Sequence, residues 1–277
     1  MTAGGRGRRL SSSSMTDSSI TRTLLGAYDA ELRGAPPTAV LHAPDGPPTR
    51  IAGPLRALLT APRDLGLSGR ELDELIVRQR EFFGARGEAV EWRLRGHDLP
   101  ADLPDRLRAA GFTPGAPETV LAAVVADVDA RRAGPSLPPG VTLRRVTAEA
   151  DLRAVAALQS EIWGLDLSGL GDDLLARVAS GPHDTVILVA EADGAMVSAA
   201  WFSVRPGTRF ATLMGGATLA GWRGRGLYRA SVAARLALAA ERGIPYVHVD
   251  ASADSAPLLR ALGFRALTTL TPYVRTP

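Results

Sequence analysis

The chain contains no cysteine, which excludes disulfides, thiolate metal sites and cysteine nucleophiles together. It also lacks lysine and asparagine. Every basic side chain is therefore arginine, and no lysine is there to form a Schiff base or serve as a general base. This gives an isoelectric point of about 9.9 at a net charge of only +3, and coding bias is the simplest source of such a composition. No basic run extends beyond Arg6–Arg9, so nucleic acid has little to bind. No apolar run has membrane-spanning length, and the N-terminal arginines are not followed by the apolar segment of a secretion signal. The chain is expected to be cytoplasmic, without membrane or nucleic-acid partners. Its four histidines, His42, His97, His183 and His248, lack HxxH or HExxH spacing, so no metal is expected.

What is present has a globular composition, 45% hydrophobic and 22% charged over 277 residues, enough for two domains. Residues 1–19 are Gly-, Arg- and Ser-rich and are expected to be disordered, with Met15 an alternative start to Met1. Ala133–Gly140 carries two glycines and three prolines and reads as a linker between residues 20–132 and 141–277.

In the second half, Val141–Val146 reads as a strand, and apolar residues at 152, 155, 158 and 162 predict a helix over Ala148–Trp163. A short helix near Asp172–Ala179 follows. Asp193-Gly194 marks a two-residue hairpin between strands Thr185–Ala190 and Ala195–Phe202. A strand over Phe210–Leu219 leads into Arg223-Gly-Arg-Gly226 and a helix to Arg242, closed by Gly243. Tyr246–Asp250 is a strand, Pro257 opens a short helix that stops at Gly263, and Phe264–Val274 is the last strand.

The first half repeats part of this order. A helix over Ser68–Ala85 ends in Arg86-Gly87, as the later one ends in Arg242-Gly243. Strand Val90–Arg95, a helix opened by Pro104, Gly111-Phe112 and strand Thr119–Val125 follow in turn. Leu-Arg-Ala-Ala-Gly-Phe at 107–112 stands beside Leu-Arg-Ala-Leu-Gly-Phe at 259–264. An internal repeat explains these matches better than chance.

The glycine loop carries the chemistry. Glycines let the main chain approach a ligand, and the first N–H groups of a helix have no intrahelical partner. Arg223, Arg225 and Arg229 add donors shaped for phosphate oxygens. The bland alternative is a tight strand–helix turn. A dinucleotide-binding unit would need a third glycine where Arg229 stands, and the Asp-Gly hairpin argues for antiparallel strands before the loop.

Residues 141–277 resemble the GCN5-related N-acetyltransferases in their whole element order. Arg223-Gly-Arg-Gly226 sits on that family's Arg/Gln-x-x-Gly-x-Gly/Ala loop, with Tyr228 in place of the last small residue. Leu258-Leu-Arg-Ala-Leu-Gly-Phe264 matches its closing helix. The resemblance implies an α/β (α+β) fold with a mixed central sheet flanked by helices, and acetyl-CoA or another acyl-CoA as co-substrate. It places Ala217, Thr218 and Leu219 beside the pantetheine and the loop Arg223, Gly224, Arg225, Gly226, Leu227, Tyr228 and Arg229 around the pyrophosphate. The first half resembles the C-terminal part of the same fold as a degenerate copy, because Pro62–Ser68 has one glycine where the cradle should stand.

The implied reaction is direct attack of a primary amine, on a small molecule or a protein, upon the thioester. A free alkylamine has a pKa near ~10 and must lose a proton. The oxyanion would meet a main-chain N–H near Met214–Ala217. The family often protonates the thiolate from a tyrosine in the closing helix, and here that position is Leu259. Tyr228 and Ser255 are the nearest hydroxyls, set against packing under the loop and capping of the last helix. Alternation puts Tyr246, His248 and Asp250 on one strand face, where His248 and Asp250 could relay a proton. The alternative is that this face is solvated or meets the first half, and Glu91, Arg93 and Arg95, which alternate the same way in the repeat, favour that alternative. The acidic link Glu161–Asp173, with Glu161, Trp163 and Trp201, would suit a cationic acceptor, or be a solvated loop. Leu259 also admits a different class, a non-catalytic acyl-CoA-binding or regulatory module. A monomer or a homodimer is expected.

Overall fold

The computed structural model describes residues 12–33, 45–53, 55–128, 137–181 and 183–277. Its strands are β1 (Thr49–Ile51), β2 (Ala57–Thr60), β3 (Val90–Arg95), β4 (Thr113–Pro114), β5 (Glu118–Val124), β6 (Val141–Val146), β7 (Thr185–Ala192), β8 (Ala195–Val204), β9 (Phe210–Thr218), β10 (Tyr246–Ala251) and β11 (Arg265–Arg275). Its helices are α1 (Ser12–Ala27), α2 (Gly69–Gly84), α3 (Leu103–Ala109), α4 (Glu149–Trp163), α5 (Gly169–Ser180), α6 (Leu227–Glu241) and α7 (Ala256–Ala261), with a π-turn at Tyr28–Leu32. Local chemistry sets several boundaries. Asp193 and Gly194 both take positive φ, 51° and 77°, as a type I′ hairpin requires. Gly164 ends α4 in the left-handed region at φ 64°.

The strands form one sheet in the order β1-β2-β3-β11-β5-β10-β9-β8-β7-β6, with β4 beside β11. At its centre the two halves exchange their closing strands. β5, from the first half, lies between β10 and β11 (Val120 opposite Asp250). β11, from the second, lies between β3 and β5, with Leu270 opposite both Arg95 and Glu118. One hydrogen-bonded ladder thus runs through both halves.

Alternation then sorts the side chains. Val186, Leu188, Phe202, Leu213 and Val247 pack with Val232 and Leu236 of α6 on one face. The same face continues to Trp92 and Leu94, which meet Leu72, Leu75 and Phe83 of α2. On the other face Ile187, Val189 and Trp201 pack under α4 and α5. Tyr28 and Leu32 cover Val120, Phe210 and Leu270.

Residues 12–19, expected to lack structure, begin α1 instead. The helix continues into the Leu24–Leu32 segment, whose apolar side chains are buried against the sheet, and Asp17 pairs with Arg265 at 2.7 Å. A polar start is therefore carried by an apolar continuation. Residues 1–11 lie outside the described residues, as does the linker as far as Ser136.

Candidate active site

β9 and β10 run parallel and pair only at Tyr246–Phe210, Val247–Ala211 and His248–Thr212. Beyond Thr212 they diverge, and the outer main-chain edge of β9 faces an open wedge. A bulge in β9 marks the divergence: Ala217 pairs with Ala199 and Met214 with Trp201, so Gly215 and Gly216 together oppose Ala200. Both glycines are required there. A Cβ on Gly215, at φ +60°, would lie 1.8 Å from the Trp201 ring, and one on Gly216 would lie 2.8 Å from the Tyr228 ring. The Gln159 amide donates to the Gly215 carbonyl at 2.6 Å.

Three cavities line up along this wedge. The outermost, about 570 Å³, is the glycine loop itself: Thr218, Trp222–Arg229 and Leu258. Gly224 and Gly226 have φ of +73° and +86°, and Gly226 precedes the first turn of α6, which holds no acidic residue. Arg223 donates to the Thr218 carbonyl at 3.1 Å, and Arg225 lies 4.7 Å over the Trp222 ring. Among the described residues neither is in an ion pair with a carboxylate, so the cradle presents uncompensated cations beside free helix N–H groups, which fits a phosphate ester. Leu227 and Ala217 turn their side chains into the core, and Leu219 is half-buried. The Thr218 hydroxyl is engaged with Ser198 at 2.9 Å. These four therefore offer main chain to a ligand. Arg229 is half-buried in the first turn of α6.

The second cavity is the wedge, lined by Met214–Gly216, Tyr228, Arg235, Ser252, Ser255, Glu118, Arg93, Asp250 and Trp163. Tyr228 borders both cavities. Its hydroxyl is hydrogen-bonded to Ser255, and burial raises its pKa above the usual tyrosine value, so it keeps its proton at neutral pH. Ser255 does not cap α7 with its side chain, contrary to expectation. Leu259 is wholly buried in the core, 0% exposed, and offers nothing to the wedge. Arg235 is 1% exposed. Its Nε donates to the Ser231 carbonyl at 3.1 Å and its Nη1 to the Trp201 and Met214 carbonyls at 3.4 Å. Its Nη2 has no partner. Burial pushes its pKa down to about 10, so it remains a cation at pH 7.

The third cavity is an inner chamber of about 220 Å³ under the other face of the sheet. Tyr28, Thr60, Arg93 and Arg95 come from the first half, and Arg177, Trp201, Ser203, Arg205, Thr212, His248 and Asp250 from the second. The alternating sets Tyr246/His248/Asp250 and Glu91/Arg93/Arg95 lie on this one face and meet. Arg93 Nη2 donates to Asp250 Oδ2 at 2.7 Å. His248 Nε2 lies 3.0 Å from Asp250 Oδ1. An ionised carboxylate only accepts, so that nitrogen carries the hydrogen. His248 Nδ1 is buried without a partner. Burial opposes ionisation of Asp250, but His248 and Arg93 more than offset it and hold its pKa well below the usual carboxylate range. Asp250 is therefore no proton acceptor at neutral pH; it orients His248.

The expected acidic wall is not there. Glu161 is exposed and lies outside all three cavities. Asp166 accepts from the Ser168 N–H, and Asp172 pairs with Arg153. Only Asp173 reaches the chamber, and it pairs with Arg177 at 2.7 Å. Trp163 stands at the wedge entrance, 56% exposed, with its indole donating to Gln159. Trp201 is buried in the chamber.

Sequence reasoning passed over Glu118, Arg205 and Arg235 as site residues. Glu118 enters only because β5 is exchanged. Burial, followed by the Asp250 charge, raises its pKa. Elsewhere, His97 is held between Asp29 and Thr268, and His42 lies outside the described residues.

The equivalent place in the first half is closed. Arg33 donates to the Ala61 carbonyl at the end of β2 and to Asp98 beyond β3, filling the wedge between those strands. Asp64 accepts from the Gly66 N–H at 2.9 Å, so a carboxylate takes the donor that a phosphate would need.

No curated protein significantly matches the chain. Among solved structures it is similar to a GCN5-related N-acetyltransferase from Kribbella flavida, at 19% identity and a TM-score of 0.63 over 94% of this chain and 95% of that one. It is also similar to a tandem GNAT protein from the clavulanic acid biosynthesis pathway, at 16% identity and 0.61 over 94% and 95%. A GCN5-related N-acetyltransferase from Sphaerobacter thermophilus gives 17% identity and 0.61 over 93% and 91%. At these identities the likeness establishes the acyl-CoA N-acyltransferase fold in its tandem form. Residues 152–264, which hold the cradle and the diverging strands, match the acetyltransferase (GNAT) family model and form a domain of that family.

Proposed function

We propose that the chain is an N-acetyltransferase that moves an acyl group from acetyl-CoA to a primary amine. One observation carries this reading: an anion cradle, an open strand edge and an inner chamber with charged groups at its wall adjoin one another, joined by Tyr228 and then by Arg93, Met214 and Asp250. A CoA thioester supplies an electrophilic carbonyl and a thiolate leaving group. The loop N–H groups with Arg223 and Arg225 bind its phosphates. The open edge of β9 at Met214–Ala217 offers N–H groups to its amides and to the developing oxyanion.

The amine approaches from the chamber. His248, with Nε2–H held by Asp250, takes the amine proton on Nδ1. Tyr228 gives its hydroxyl proton to the sulfur, and the buried cation of Arg235 favours the negative charge that builds there. One C–N bond replaces one C–S bond, and no redox partner is needed. Tyr228 thus fills the role that Leu259 leaves open.

The test is acetyl-CoA with a panel of amines and a thiol-release readout, alongside thermal stabilisation by CoA. Turnover that disappears in Tyr228→Phe and His248→Ala while CoA still stabilises both supports the mechanism. Stabilisation by CoA with no turnover on any amine would favour a non-catalytic acyl-CoA-binding module. A Gly226→Asp variant that bound CoA as well as the parent would overturn the cradle.

A further inference from the structure

The inner chamber has an excess of positive charge. Arg93 is matched by Asp250 and Arg177 by Asp173. Arg95 spends its donors on Tyr28 Oη, at 3.0 Å, and the Arg93 carbonyl, at 2.7 Å. Arg205 has no carboxylate partner among the described residues. It follows the last residue of β8, where its main chain closes the turn by donating to the Phe210 carbonyl. Its side chain lines the chamber, and its Nε is buried with no hydrogen-bond partner. The charges that act on it most are the cation of Arg177 and the anion of Asp250, and Asp250 is already held by Arg93 and His248.

Arg205 as a whole is half-buried, and an unmatched guanidinium whose Nε is cut off from water costs stability unless a ligand supplies the missing anion. The planar fork of arginine fits a carboxylate through two parallel hydrogen bonds. The chamber holds about 220 Å³, with a mostly apolar lining of Leu32, Ile51, Leu58, Leu170 and Met214 besides its charges. That suits a small molecule with one anionic end and an apolar body, not a protein side chain on its backbone.

Resting on the reading of this site as the acceptor site, we propose that the acceptor is a small amino acid whose carboxylate is bound by Arg205. The apolar walls hold its side chain, and its amine points past His248 toward the wedge. This reverses the cationic preference expected from the acidic link. The acceptor as a whole is zwitterionic, and recognition lies at its anionic end.

The test compares each standard amino acid with the amine left when its carboxylate is removed, for example leucine with isopentylamine and phenylalanine with phenethylamine. Binding is read first without CoA, as ligand-induced thermal stabilisation, and then as KM in the acetyl-CoA assay. The expected result is at least one amino acid that binds about 10- to 100-fold more tightly than its amine, the range for a charge-assisted hydrogen bond. The preference should collapse in Arg205→Gln and survive in part in Arg205→Lys. Arg205→Gln should fold with an unchanged or higher Tm, since it removes a half-buried charge that no carboxylate matches among the described residues, and this separates loss of recognition from loss of fold. Amines that bind as well as their amino acids, or a preference untouched by Arg205→Gln, would overturn the proposal. Amino-acid binding that depends on Arg205 in a protein that CoA does not stabilise would leave the carboxylate site standing and remove the acetyltransferase reading. Acetylation of plain amines alone would do the reverse.

Discussion

Gly215→Ala tests whether the β9 bulge is set by packing. At φ +60° an added Cβ would lie 1.8 Å from the Trp201 ring. Trp201 is 7% exposed and packed against the α4–α5 core, so moving it aside breaks those contacts. The left-handed backbone alone costs a non-glycine residue about 1–2 kcal/mol. Overpacking a filled core adds about 1–3 kcal/mol. Together these give about 2–5 kcal/mol, or a fall in Tm of roughly 5–15 °C for a chain of this size. Two companions separate the parts. Gly164→Ala has nearly the same φ, +64°, with nothing within 4 Å, and should lose only the backbone part. Gly215→Ala combined with Trp201→Leu should recover the packing part as a favourable coupling of about 1–3 kcal/mol in a double-mutant cycle. Urea titrations at constant m-value measure the parent, these three variants and Trp201→Leu alone, which completes the cycle. If Gly215→Ala costs no more than Gly164→Ala, packing against Trp201 does not hold the bulge.

Four further outcomes follow from the same geometry. Tyr228→Phe should retain CoA-induced stabilisation and lose at least about 100-fold in kcat; a kcat within threefold of the parent removes Tyr228 as proton donor. Asp250→Asn leaves Arg93 without its main partner and should cost about 3 kcal/mol at pH 7. Because the folded pKa of Asp250 lies below its ordinary 3.8, that contribution is present above pH ~4 and fades as pH falls further, so the two melting curves should converge in acid. Glu118 has the opposite sign. Its raised folded pKa, against an ordinary 4.5, means its ionised form is disfavoured by folding, so Glu118→Gln should raise Tm at pH 8 and leave it unchanged at pH 4. Calorimetric titration should give one CoA site per chain, because Arg33 and Asp64 close the first-half equivalent; two equal sites would refute that.

The local elements were legible because their causes are local. The positive-φ pair Asp193-Gly194, the apolar spacing over 152–162 and the Pro257-to-Gly263 helix each act within a few residues, and each element appears within a few residues of its expected bounds. The start of α1 was misread because its first turns are polar and its apolar contacts come from distant strands. Arg235 left a mark that could have been read: an arginine in the Ala/Leu-rich middle of its helix, seven residues after Tyr228 and hence on the same face. Arg205, before a Pro-Gly turn, and Glu118, after a Pro-rich loop, left none.

By itself the sequence determined the cradle, since glycine spacing, arginines and a helix start are consecutive in the chain and need no distant partner. It also determined that Tyr246, His248 and Asp250 share a face. Tertiary structure alone decided what that face meets. The exchange of β5 and β11 places Arg93 against Asp250, fixes which of the pair can accept a proton, and gathers arginines from both halves around one chamber. Hydrogen-bonded pairing between strands more than a hundred residues apart obeys register and burial, and neither is written in a window of neighbouring residues.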